Sequence, residues 1–181
     1  MLCVKHGQLR LLGELFERYH LRLYNFFLRF CADRHWSEDM VQTTFYKVLN
    51  YAHTYEDRGE FPAWIFNIAR NVALDHLRNE KRNLTGAGGD LDEFASPAGD
   101  PEYLHSMSQQ ERVLQTALLR LPAEKRQLLL LCKVNQFSIS ELAAMYDCNP
   151  GAIKVRVHRA LEMLREYCNE LNEFTEAEKT S

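Results

Sequence analysis

The chain has 181 residues, 46% of them hydrophobic, and a formal net charge of −3, enough for one medium core or two small ones. It has no apolar run of 18 residues and no basic start followed by an apolar stretch and a small-residue cleavage site. Neither a membrane span nor a secretory signal is expected, and the expected location is the cytoplasm. Cys3, Cys31, Cys132, Cys148 and Cys168 lie far apart, with no CxxC and no Cys/His pair at zinc-ligand spacing. They read as buried reduced thiols, so no metal or other cofactor is expected.

Divided along the chain, the charge changes its meaning. Residues 1–84 carry 12 Lys and Arg against 10 Asp and Glu, 85–107 none against 5, 108–172 nine against 7, and 173–181 one against 3. Two weakly basic modules, 1–84 and 108–172, are thus joined by an acidic connector, 85–107, and followed by an acidic tail, 173–181. Such modules can bind nucleic acid if their positive charge gathers on one face, but alone they would hold it weakly.

Residues 8–32 place Leu12, Leu15, Phe16, Tyr19, Leu23, Phe26, Phe27 and Phe30 at helical spacing, which predicts a long core helix. A second helix is expected to begin at Ser37 as its cap, with Glu38 and Asp39 in its first turn. Its inner side is Val41, Thr44, Phe45, Val48, Leu49 and Ala52. The outer side is Asp39, Gln42, Thr43 and Tyr46, either a solvated face or a docking surface for another protein's helices. A loop over Tyr55 to Glu60, turning at Gly59, leads into the third helix.

That third stretch, Phe61 to Arg82, is FPAWIFNIARNVALDHLRNEKR. At 100° per residue, Ile65, Ile68, Ala69, Val72, Ala73 and His76 share one side; Asn67, Asn71, Asp75, Arg78 and Arg82 share another. The second side combines amides, a carboxylate and guanidinium groups, the donors and acceptors used on bases and phosphates. It fits a nucleic-acid face, with a solvated or internally paired face as the plain alternative.

Residues 83–106 hold six Gly and Pro together with the connector's carboxylates and show no sustained period, which predicts a flexible connector. Its GAGG run has neither a preceding strand nor a following Lys-Ser/Thr, so it is no phosphate loop. From Gln109, Val113, Leu114, Ala117, Leu118 and Leu121 predict a helix stopped by Pro122, and Ala123 to Val134 a second, very apolar one. Phe137 onward reads as a helix-turn-helix. Ser138 and Glu141 have capping-box spacing, Asp147 to Asn149 is the turn, and Pro150 opens the last helix. There Ile153, Val157, Ala160 and Leu164 face inward, while Val155, His158, Arg159 and Glu162 face out, flanked by Lys154, Arg156 and Arg165. The basic N-terminal half is where a recognition helix meets base edges in the major groove. The same shape also occurs in purely structural bundles.

Ser37 to Leu49 (SEDMVQTTFYKVL), AWIFNIARN and DHLR within Phe61 to Arg82, Leu121-Pro122, and SISELA and GAIKVRVHRAL within Ser138 to Arg165 resemble, in order, the extracytoplasmic-function sigma factors of bacterial RNA polymerase. The resemblance covers both modules and leaves out the connector and tail. It implies an all-α fold of two small helical domains on a flexible acidic linker, the second a helix-turn-helix, and no enzymatic activity. It also implies that Asp39, Gln42, Thr43 and Tyr46 dock on the coiled coil of the polymerase's largest subunit, with the flap as a further polymerase contact. The stretch from Tyr55 to Arg82 would read the −10 promoter element and capture a flipped non-template base, through Tyr55, Phe61, Asn67, Asn71, Asp75, Arg78 and Arg82. An extruded base needs a polar pocket with an aromatic or apolar wall; Tyr55, Phe61 and Trp64 are the candidates, although Trp64 also fits the core. Lys154, Val155, His158 and Arg159 would read the −35 element, with Arg156 on phosphate. The family further implies an inhibitory anti-sigma partner. The alternatives are a two-domain helix-turn-helix regulator acting without polymerase, and an enzyme or metalloprotein on a helical bundle, for which no converging Cys, His or carboxylate set is found.

Overall fold

The computed structural model describes residues 1–5, 10–56, 61–85 and 99–179. A short α1 (Leu2–Lys5) precedes α2 (Arg10–Cys31), α3 (Arg34–Asn50), a 3-10 turn (Ala52–Thr54) and α4 (Phe61–Thr85), which form the first module. The second holds α5 (Pro101–His105), α6 (Gln109–Arg120), α7 (Ala123–Leu129) with a π turn (Leu130–Val134), α8 (Ile139–Met145) and α9 (Pro150–Lys179). Among the described residues there is no strand, so the fold is all-α, as its two sets of helical periods predict.

The aromatic stripe of α2 is the spine of the first core: Leu23, Phe26, Phe27 and Phe30 are fully buried. Phe16, expected in that stripe, stays exposed and stacks on His20, with ring centroids 4.9 Å apart. One boundary moves. Asp33, not Ser37, caps α3: its carboxylate accepts from the Trp36 amide at 2.8 Å, so the helix starts earlier. Ser37 is left buried inside the helix, its hydroxyl donating to the Asp33 carbonyl. Leu49, expected inside, is exposed near the end of α3. The segment expected to be connector contains α5, and α9 runs into the segment expected to be tail. Residues 86–98 of the connector, with the GAGG run, and residues 57–60 of the predicted loop lie outside the described residues.

The two modules share one apolar cluster. Phe66 of α4 meets Phe137 edge-on at 5.3 Å, and the Arg70 guanidinium lies 4.3 Å from the centroid of the Tyr146 ring. Phe66, buried in addition to the side that the periodicity of α4 marks, thus lies between the modules, edge-on to Phe26 of α2 at 5.7 Å and to Phe137 of the second module; Leu77 is buried as well. The end of α2 is the other half of the junction. A helix leaves its last carbonyls without intrahelical donors. Here Gln115 donates to the Arg29 carbonyl at 3.0 Å, Arg126 to that of Phe30 at 2.6 Å, and the Asp100 amide to that of Ala32 at 2.8 Å. Arg126 also donates to the Leu119 and Leu121 carbonyls, and its positive charge suits the negative end of the α2 dipole. Burial lowers its pKa to about 10, so it remains charged at neutral pH. Gly99 sits at φ +72, where a Cβ would come within 2.9 Å of the Ala32 Cβ; only glycine allows this approach.

Candidate nucleic-acid interface

Between α3 and α4 the polar side of α4 opens into a cleft of about 470 Å³. Trp64, Asn67, Ile68, Asn71, Asp75 and Arg78 line it from α4, and Lys47, Tyr51 and Thr54 from the end of α3 and the turn beyond. Four of the five residues of the polar stripe therefore converge on one hollow. Arg82 is exposed but does not line it. Asn67 Oδ1 is shielded from solvent and has no hydrogen-bond partner among the described residues. A buried acceptor in that state favours an incoming donor.

The aromatic wall differs from the expected one. Trp64 faces the cleft together with Tyr51, whereas Tyr55 is buried and Phe61 half-buried behind it. Their centroids lie 5.3 Å (Tyr55) and 5.9 Å (Phe61) from that of Trp64, so the pair braces the tryptophan. Lys47, Tyr51 and Thr54 escape a sequence reading because they come from a neighbouring helix and turn. The one available signal is Lys47, a cation in the last turn of α3.

On the opposite side of α4, His76 packs against Trp36, with centroids 4.4 Å apart, and its Nε2 is buried without a hydrogen-bond partner among the described residues. Burial lowers its pKa below 6.5, against the pull of Asp33 and Asp39 in the other direction. Asp39, Gln42, Thr43 and Tyr46 all stand exposed along α3, Tyr46 at 67%.

In the second module both caps of the helix-turn-helix form as spelled. Ser138 and Glu141 make a reciprocal capping box, and Asn149 Oδ1 accepts from the Ala152 amide at 2.8 Å. They fix α8 against α9, burying Ile153, Val157 and Ala160, so that Lys154, Val155, Arg156, His158 and Arg159 are all exposed. Arg156 and Arg159 border a hollow that also contains Tyr146 and Glu124. His158 Nδ1 lies 3.2 Å from Glu162 Oε2, which ties that ring to its own helix. The described residues contain no group of three His, Cys, Asp or Glu side chains able to hold a metal.

The models of sigma-70 region 2 and sigma-70 region 4 match residues 15–83 and 103–164. RNA polymerase sigma factor CarQ of Myxococcus xanthus is 32% identical over 87% of this chain and 89% of its own. The ECF RNA polymerase sigma factor SigE of Mycolicibacterium smegmatis is 30% identical over 85% of this chain, which spans 60% of that relative's length. Among solved structures, the sigma factor RpoE of Bartonella quintana, in complex with the anti-sigma factor NepR, is similar with a TM-score of 0.67 and 25% identity, over 87% of this chain and 96% of that one. Both modules are matched in order by the two regions that define these factors, and the chain belongs to the extracytoplasmic-function group of the sigma-70 family, non-enzymatic factors that direct RNA polymerase to initiate at specific promoters.

Proposed function

We propose that residues 1–84 dock on core RNA polymerase and open the promoter, that 85–107 connect, that 108–172 hold duplex DNA upstream, and that 173–181 form an acidic tail. The observation that carries this reading is the cleft between α3 and α4. It combines an aromatic and aliphatic wall, an unsatisfied amide oxygen and cations at its edge, the chemistry an extruded base and its phosphates require. Asn67 and Asn71 are the base readers, with Asp75, Arg78 and Arg82 along the strand. Tyr55 and Phe61 act by bracing Trp64. The exposed face of Lys154, Val155, His158 and Arg159 reads the −35 duplex, with Arg156 on phosphate. Asp39, Gln42, Thr43 and Tyr46 form the docking surface for the coiled coil of the largest subunit, and the second module meets the flap.

A regulator acting without polymerase would leave that exposed row on α3 without a task, and family membership disfavours it. A factor that acts on polymerase and DNA works in the cytoplasm, the location proposed for this chain. Among the described residues no helix is long and apolar enough to cross a membrane. Because the similar RpoE is bound to an anti-sigma factor, an inhibitory partner of that kind is proposed for this chain as well. The test is Asn71→Ala in the holoenzyme. Permanganate reactivity of −10 thymines should fall while closed-complex binding stays near that of the parent. Equal loss in both would make Asn71 a structural residue.

A further inference from the structure

The cleft contains a cation that the polar stripe of α4 does not supply. Lys47 reaches across from the last turn of α3, and its Nζ donates to Asp75 Oδ2 at 3.1 Å. Arg78, one turn beyond Asp75, donates from Nη1 to Asp75 Oδ1 at 3.4 Å. Each oxygen of the carboxylate therefore faces its own cation. Two positive groups around one negative group leave a net charge of +1 at the edge of the hollow.

We infer that Lys47 is a phosphate-contacting residue of the single-strand site and that Asp75 is a positioning residue holding Lys47 and Arg78 for the strand, not a reader of bases. The inference rests on the reading of this cleft as the −10 site. A lone carboxylate at this place would repel the phosphates that follow a captured base into the cleft. Paired as it is, Asp75 instead fixes two flexible side chains, each with donors to spare: an ammonium has three N–H groups and a guanidinium five. The pair is also exchangeable. The Lys47 and Asp75 side chains are 29% and 50% exposed, and ion pairs at such exposure are weakly held and screened by salt. A phosphate oxygen can share the ammonium, or take it over, without the cleft being rebuilt. The amides of Asn67 and Asn71 remain for the base edge, behind the cations.

The experiment uses holoenzyme assembled on core polymerase. The probe is a labelled single-stranded oligonucleotide carrying the non-template −10 strand of a promoter that the unsubstituted holoenzyme transcribes. Binding is titrated over a series of salt concentrations. Lys47→Ala should weaken binding several-fold for every base variant of the probe. It should also reduce the slope of log K against log salt by about 0.7, the value for one phosphate contact on a single strand. Lys47→Arg should restore both. Asp75→Asn should preserve the ranking of base variants while leaving the salt slope as steep or steeper. An unchanged slope in Lys47→Ala would overturn the inference. So would an Asp75→Asn protein that loses its preference at one base alone, since the carboxylate would then accept directly from a base amino group. Failure of the unsubstituted holoenzyme to prefer this probe over a scrambled strand would instead remove the underlying reading of the cleft, and this inference with it.

Discussion

Asp75 and His76 are neighbours on one helix in opposite surroundings, the first half exposed at the cleft and the second packed on Trp36. The imidazole has a titration consequence. With its folded pKa depressed by burial, the unfolded chain binds the proton more readily. The contribution of His76 is therefore complete above the unfolded value near 6.5 and is lost as pH falls through it toward the lower folded value. His76→Phe keeps a ring against Trp36 and cannot titrate, so its melting temperature should rise relative to the parent between pH 7 and pH 5; an unchanged difference would place the acid sensitivity elsewhere. On α9, Arg159 is exposed and paired with no carboxylate in the described structure, unlike His158, which Glu162 engages. Arg159→Ala should cost about 1–3 kcal/mol at its base and relax preference there, read from binding to −35 duplex variants. Equal loss on every variant would make it a phosphate contact.

At the scale of the element, local signals predict a helix well when its start depends on its own residues. Ser138 and Glu141 spell the cap of α8, and both reciprocal hydrogen bonds form. Ser138→Ala should lower stability by about 1 kcal/mol, measured by denaturant unfolding, because an N-terminal amide loses its acceptor. The start of α3 was less legible because two polar residues compete for it: Asp33 and Ser37 can each cap, and it is Asp33, just after the positive-φ turn at Ala32, that accepts from the Trp36 amide. The outer row of α3 was plain from its period. Replacing Gln42 and Tyr46 together with Ala should weaken binding to core polymerase while leaving the melting temperature near that of the parent; a large drop in melting temperature would assign them to packing instead. The polar stripe of α4 was legible in the same way. The hollow it lines was not, because Lys47, Tyr51 and Thr54 enter from a different part of the chain, and no periodicity within one helix reports on its neighbour. The burial of Phe66 escaped for the same reason: Phe137 of the second module covers a side of α4 that one helical wheel assigns to neither core nor solvent.

At the scale of the whole molecule, the same junction limits what the closed form can reach. Gln115, Arg126 and the Asp100 amide occupy the last carbonyls of α2, and Phe137 and Tyr146 sit on α4. A compact chain of this length is about 40 Å across. Promoter elements centred near −10 and −35 are about 25 base pairs apart, or about 85 Å at 3.4 Å per pair. If the two modules hold these two elements as proposed, one compact body cannot reach both, and the modules should part on initiation with the buried Arg126 giving up the Phe30 carbonyl. Fluorophores at Asn50 and Glu166, both exposed, should move apart when core polymerase binds; an unchanged distance would mean that the closed body acts as it stands. This chain turns core polymerase into an enzyme that starts at chosen sites, and the 5′ ends of transcripts made in vitro with core polymerase report it. Addition of the protein should produce transcripts with defined starts, each preceded by shared −10 and −35 sequences. Starts unchanged from those of core polymerase alone, together with tight binding of the free protein to duplex DNA, would contradict it.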